Sequence, residues 1–261
     1  MRTLSFFFLL AIFFTACQNA PQNGDEQTGE ETPEMKYTVT PFSQSAAFPD
    51  AKIDDMAFVN GKFKFGISGD SYQLGVQTPD AGAKMCANSA QGQHIHLIVD
   101  DQPYAAKYEA EFDYEIPDGS HYLLAFLSRS YHESIKTPEA SKAVKAEIKG
   151  NSIVMSEPIQ QPMLFYSRPK GTYTGKAETD KVMLDFYLVN VTLGDDHKVK
   201  ADINGETHMI DSWQPYYIEG LPMGENTITL TLVDKDGNAV QAPLNPVSRT
   251  FTLQEDPAPT N

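Results

Sequence analysis

Two histidines stand one residue apart in GQHIHLIVDDQPY, residues 92–104, at the head of an apolar run that stops at a turn. On an extended strand His94 and His96 share a face with Cβ atoms about 6–7 Å apart, close enough to hold one metal ion with a third ligand. That ligand could be His132, which lies in SRSYHESIK at 128–136, or the thiol of Cys86. Imidazole and thiolate donors make His94, His96, His132 and Cys86 a candidate copper or zinc set. A second chemistry uses overlapping residues. Arg129, His132, Lys136 and the hydroxyls of Ser128 and Ser130 form a donor set suited to a carboxylate, sulfate or phosphate ester, with Tyr131 and Glu133 beside them in the expected ligand-binding cluster.

Plainer readings stand beside both. His94 and His96 equally fit the solvent face of a strand, SRSYHESIK a loop that hydrogen-bonds its own backbone, and Cys86 a small buried hydrophobe. Ser134, His132 and Glu133 are too close in sequence to converge as a nucleophile, base and orienting acid. There is no Gly-rich phosphate loop, HExxH helix or CxxC pair, so no residue is assigned to catalysis.

The elements that must carry these residues are strands. KFKFGI, HIHLIV, YEAEFDYEI, HYLLAFL, VMLDFYLV, KVKADI and TITLTLV recur between turn signals such as DDQP, PDG, NG and DKDGN, whereas no helical period is sustained beyond the first residues. The chain also repeats itself. HIHLIVDD lies on KVKADING, IPDGSHYLLAFL on LPMGENTITLTL, and FKFGISGDSYQLG on VMLDFYLVNVTLG, the first copy carrying the extra segment VQTPDAGAKMCANSAQ. This predicts an all-β protein of two tandem immunoglobulin-like β-sandwiches, over 37–160 and 161–254, with a disordered tail at 255–261. Matching the copies sets Ile95, Leu97 and Val99 against Val199, Ala201 and Ile203 as inward residues. His94 and His96 then match Lys198 and Lys200 and point outward. HYLLAFL is expected antiparallel to HIHLIV, which brings SRSYHESIK and the extra segment to the same rim as the two histidines. His121 falls at the far end of its strand. Trp213, Tyr216 and Tyr217 read as core or interdomain residues in preference to a sugar-stacking platform.

MRTLSFFFLLAIFFTACQ has the basic start, apolar stretch and small residues of a secretory signal. Its Cys17 sits as in a lipobox, so 1–17 is expected to be a lipoprotein signal with Cys17 as the lipidation site. Acidic, Gln- and Gly-rich residues 18–36 read as a flexible tether. The expected place is the cell envelope, lipid-anchored in the outer membrane, facing either the periplasm or the surface. With Cys17 on lipid, Cys86 has no disulfide partner. A formal net charge of -15 excludes nucleic acid as a partner.

The stretches GQHIHLIVDDQPY, FLSRSYHESIK, FYSRPKGTY, YYIEGLPMGENTITL and RTFTL resemble a family of Bacteroidetes-type two-domain envelope lipoproteins often labelled phosphopeptide-binding proteins. The resemblance covers most of the chain after the tether. It implies a cell-envelope binding protein of unsettled ligand; the expected function is non-catalytic binding, with an envelope protein or a phosphorylated or otherwise anionic ligand as the expected partner. Two rivals differ in class: an adhesion or scaffold module without a small-molecule site, and an enzyme acting on glycans or through redox copper.

Overall fold

The computed structural model describes residues 36–257. Cys17, the signal and the tether as far as residue 35, and residues 258–261 lie outside the described residues. Seventeen strands, in chain order, make four sheets.

β1 (Thr38–Pro41) comes first. The first sandwich then follows with β2 (Lys52–Val59), β3 (Lys62–Ser68), β4 (His94–Val99), β5 (Ala105–Lys107), β6 (Glu111–Asp113), β7 (Gly119–Ser128), β8 (Ser141–Ile148) and β9 (Ile153–Pro158). Its sheets run β2-β3-β6 and β5-β4-β7-β8-β9. The second sandwich uses β10 (Met163–Arg168), β11 (Gly171–Thr174), β12 (Val182–Val189), β13 (His197–Ile203), β14 (Glu206–Ile210), β15 (Tyr216–Glu219), β16 (Gly224–Asp234) and β17 (Val247–Gln254). Its sheets run β11-β17-β16-β13-β14 and β1-β15-β12-β10, with β11 parallel to β17 as in immunoglobulin-like modules. The fold is thus two packed β-sandwiches, as the repeat predicts.

The segment from residue 37 does not all belong to the first sandwich. Thr38–Pro41 pairs antiparallel with Tyr216–Glu219 and completes an edge of the second. Lys36, assigned to the tether, donates its backbone N–H to Glu206 at 2.8 Å. At the other end Asp256, assigned to the tail, accepts from the Lys176 N–H. A backbone that can pair with an open sheet edge gains more than composition alone reveals.

Each sandwich has its own core. Ile95, Leu97, Val99, Leu123, Ala125 and Leu127 fill the first. Val199, Ala201, Ile203, Leu230 and Leu232 fill the second, together with Leu184 and Phe186 from the facing sheet. The side chains that alternate with these on β4, β7, β10 and β12 meet in a third apolar layer. There Ile98, Leu124 and Phe126 pack on Met163, Phe165 and Tyr187, with the Phe126 and Tyr187 rings stacked at 5.3 Å. The sheets β5-β4-β7-β8-β9 and β1-β15-β12-β10 therefore lie face to face, and β4, β10 and β12 are buried on both sides. Burying each large apolar side chain in this layer contributes about 1.5–3 kcal/mol.

Candidate metal centre

His94 and His96 project from β4 away from its own core, as the repeat requires, yet both are fully buried. The expectation that they face solvent fails because the face opposite the first core is covered by the second sandwich. Antiparallel pairing of β4 with β7 sets His94 beside Ser128, so the loop leaving β7 starts next to it. That loop doubles back at once: the His132 N–H donates to Arg129 O and the Arg129 N–H to Glu133 O, each at 2.9 Å. The turn puts His132 at φ 70°, a left-handed conformation that costs a residue with a Cβ about 1–2 kcal/mol. It also carries the third imidazole back over the first two.

His94 Nε2 lies 2.8 Å from His96 Nε2 and 3.0 Å from His132 Nδ1. One ring nitrogen from each of the three residues lies within 4.8 Å of the others. His94 Nδ1 is 2.8 Å from Gly92 O, which can only accept, so Nδ1 carries the proton and Nε2 is a bare lone pair. Two other ring nitrogens are aimed at that one lone pair. A hydrogen-bonded arrangement would crowd two N–H donors onto a single sp² acceptor, whereas a cation at the convergence satisfies all three nitrogens. Metal–nitrogen bonds of about 2.0–2.1 Å let two donors on one ion lie up to about 4.2 Å apart, so the 2.8 and 3.0 Å pairs can each share an ion. Imidazole nitrogens suit both zinc and copper, and a given nitrogen set binds copper(II) more tightly than zinc.

Burial lowers the pKa of His94 to about 4 and holds His96 and His132 well below the ordinary histidine value. The three rings are neutral at pH 7, the state that ligates. Tyr104 completes the surround. Its ring stacks on His96 at 3.6 Å and 9°, and its hydroxyl is 3.3 Å from His132 Nδ1. Ser167 Oγ of the second sandwich sits 3.5 Å from His96 Nδ1, at the outer limit of a hydrogen bond. The Tyr72 hydroxyl donates to the carbonyls of His94 and Ser128 at 3.1 and 2.9 Å and fixes the two strand ends.

The other residues singled out in the sequence do different work. Cys86 lies outside the imidazole group, in an apolar cluster with Phe42, Tyr131, Met183 and Tyr217. Burial pushes its thiol up to about 12. The donors of the loop expected to bind an anion have internal partners. Arg129 donates to Ala46 O and Ser134 O and pairs with Glu133, which also accepts from Ser45. The Tyr131 hydroxyl donates to Asp80 at 3.1 Å. Lys136 meets the fully buried Asp185 of β12 at 2.6 Å, and Asp185 also accepts the Ser134 N–H at 2.9 Å. These contacts tie the His132 loop down on both sides. The extra segment, expected at this rim, braces it from outside through reciprocal Thr78 and Ser130 hydrogen bonds. His121 binds Asp100 instead. Trp213 packs in the layer between the sandwiches and donates to Phe186 O.

Sequence reasoning passed over Tyr104, Gly92, Arg168 and Lys170. Tyr104 and Gly92 stand at the two ends of the stretch that holds the histidines. Arg168 and Lys170 stand in FYSRPKGTY, another of the stretches that carry the family resemblance.

No protein-family model and no curated protein matches the chain. Among solved structures, fibronectin(III)-like modules of Clostridium thermocellum CbhA align over 36% of this chain and 100% of theirs, at 18% identity and a TM-score of 0.28. A Ca2+-stabilized adhesin with which an Antarctic bacterium binds ice aligns over 84% of this chain and 48% of its own, at 10% identity and 0.24. SGBP-B of the Bacteroides ovatus mixed-linkage glucan utilization locus, in complex with a heptasaccharide, aligns over 84% and 71%, at 9% identity and 0.21. Scores this low carry no functional argument, so the reading below rests on the residues themselves.

Proposed function

We propose that this protein is a non-catalytic, metal-binding component of the cell envelope that holds copper through His94, His96 and His132. The observation that carries the reading is the meeting of three ring nitrogens, 2.8 and 3.0 Å from one another through His94, with His94 and His96 fully buried and His132 partly so. Zinc is the second candidate, set behind copper by the usual order of affinity for nitrogen donors. The protein reaches the membrane through lipid on Cys17, as the lipobox pattern supports, and the folded part sits beyond the tether. A phosphorylated ligand on the SRSYHESIK loop has no support in the geometry, since Arg129 and Lys136 are bound to partners within the fold.

Purification without chelators, elemental analysis and titration with Cu(II) and Zn(II) test the reading. One equivalent of copper should bind to the wild type, and binding should be lost in the His94→Ala/His96→Ala variant. A wild-type protein that takes up neither metal, or a variant that binds as well as the wild type, would sink it.

A further inference from the structure

We infer that the loaded site is completed by a small oxyanion of the carboxylate, carbonate or phosphate class, bound beside the metal by Arg168 and Lys170 of the second sandwich. The inference rests on the metal reading above. It starts from a charge that has no counter-charge.

Arg168 is only 5% exposed, and among the described residues no carboxylate lies within ion-pair distance of its guanidinium. Its Nε and Nη2 both donate to one neutral partner, the Tyr173 hydroxyl, at 3.1 and 2.7 Å. A buried cation without an acid is costly and rare unless something else supplies the negative charge. Arg168 directly follows Ser167, whose Oγ sits 3.5 Å from His96 Nδ1. Two residues on, the Lys170 ammonium sits 4.1 Å from the centre of the Tyr104 ring, which stacks on His96.

The acids near the site are committed: Asp185 to Lys136 and Ser134, Glu133 to Arg129 and Ser45. Three neutral imidazoles bring no charge to offset a divalent ion. Loading the site thus sets a dication near a guanidinium and an ammonium, a charge that an added anion would offset. Three protein ligands also leave the metal a position open to an outside donor. The two sandwiches divide the labour: the first supplies every metal ligand and the second the cations. This gives the second sandwich a part in the site beyond that of a spacer.

Copper(II)-loaded protein, residues 18–261, titrated with azide and followed by its charge-transfer absorption, reads the open position directly, and competition by phosphate, bicarbonate and acetate reports the class. Azide should bind to the wild type and be displaced by at least one of the three. Arg168→Met, which keeps the bulk and removes the charge, should weaken azide about tenfold or more and leave copper uptake intact. Lys170→Met, at a half-buried position, should weaken it less and serves if the Arg168 variant does not fold. Copper that binds but takes no azide, including copper held as Cu(I), overturns this inference and leaves the metal reading standing; so does azide affinity unchanged in both variants. A wild-type protein that binds no copper removes both.

Discussion

β4 and β13 hold the same place in two copies of one fold, and their inward residues do the same work. Ile95, Leu97 and Val99 fill one core, Val199, Ala201 and Ile203 the other. Their opposite faces differ. On β13 that face carries Lys198 and Lys200, partly exposed, and the strand alternates between buried and half-buried positions. On β4 it carries His94 and His96, and every residue is buried. The strand is equivalent, but what lies on top of it is not. Packing the second sandwich on one sheet of the first turns an ordinary outward pair into a desolvated pair. Desolvation keeps an imidazole neutral and ready to ligate, whereas it would leave a lysine as an unpaired buried charge.

The largest effect should come from giving β4 the residues of β13. His94→Lys/His96→Lys buries two ammonium groups beside Arg168 and should cost about 3–5 kcal/mol or part the sandwiches, seen as a collapse of the thermal transition or as protease cleavage near residues 159–162. A variant as stable as the wild type would show that the face is wet. Next comes the tie across the layer: Asp185→Ala strands Lys136 and the Ser134 N–H and should cost about 3 kcal/mol in denaturant unfolding.

Acid should act more gently on the metal-free protein. Unfolded histidines take up protons below about pH 6.5, while in the fold the pKa of His94 is about 4 and those of His96 and His132 are well below normal. The unfolded chain then binds more protons, so stability is full above pH 6.5 and is lost as pH falls toward 4. A melting temperature flat from pH 7 to 5 in the metal-free protein, with the His94→Ala/His96→Ala variant behaving the same, would contradict the burial. A smaller effect separates backbone strain from ligation at His132: Gly and Ala both remove the imidazole and should both weaken copper. Glycine also relieves the left-handed φ, so His132→Gly should be more stable than His132→Ala by about 1 kcal/mol. The smallest change is the reverse graft. Lys198→His/Lys200→His on β13 should shift stability by no more than about 0.5 kcal/mol and create no copper site.

Much of this could be read from residue order, because a sandwich core is written with a period of two. Alternation in KVKADI and TITLTLV marks strands with one wet face. Runs that do not alternate, such as HYLLAFL, MLFYSR and VMLDFYLV, carry the complementary message that both faces are covered. The pairing of His94 with the start of the His132 loop also follows from the hairpin-like register. The partners of Arg129 and Lys136 could not be read this way. Ala46 and Asp185 lie far from them in the chain, and a free donor and a satisfied one have the same letter. Nor could the crossing of Thr38–Pro41 to the second sandwich, which depends on where an open edge ends up.

The amino-acid order by itself determined two β-sandwiches, which side chains face each core, and that three histidines lie at one rim of the first. Only the tertiary structure decided that this rim is an interior. The faces of two sheets become one layer through contacts between residues distant in sequence, and that contact removes the water which would otherwise have left His94, His96 and His132 as ordinary surface groups.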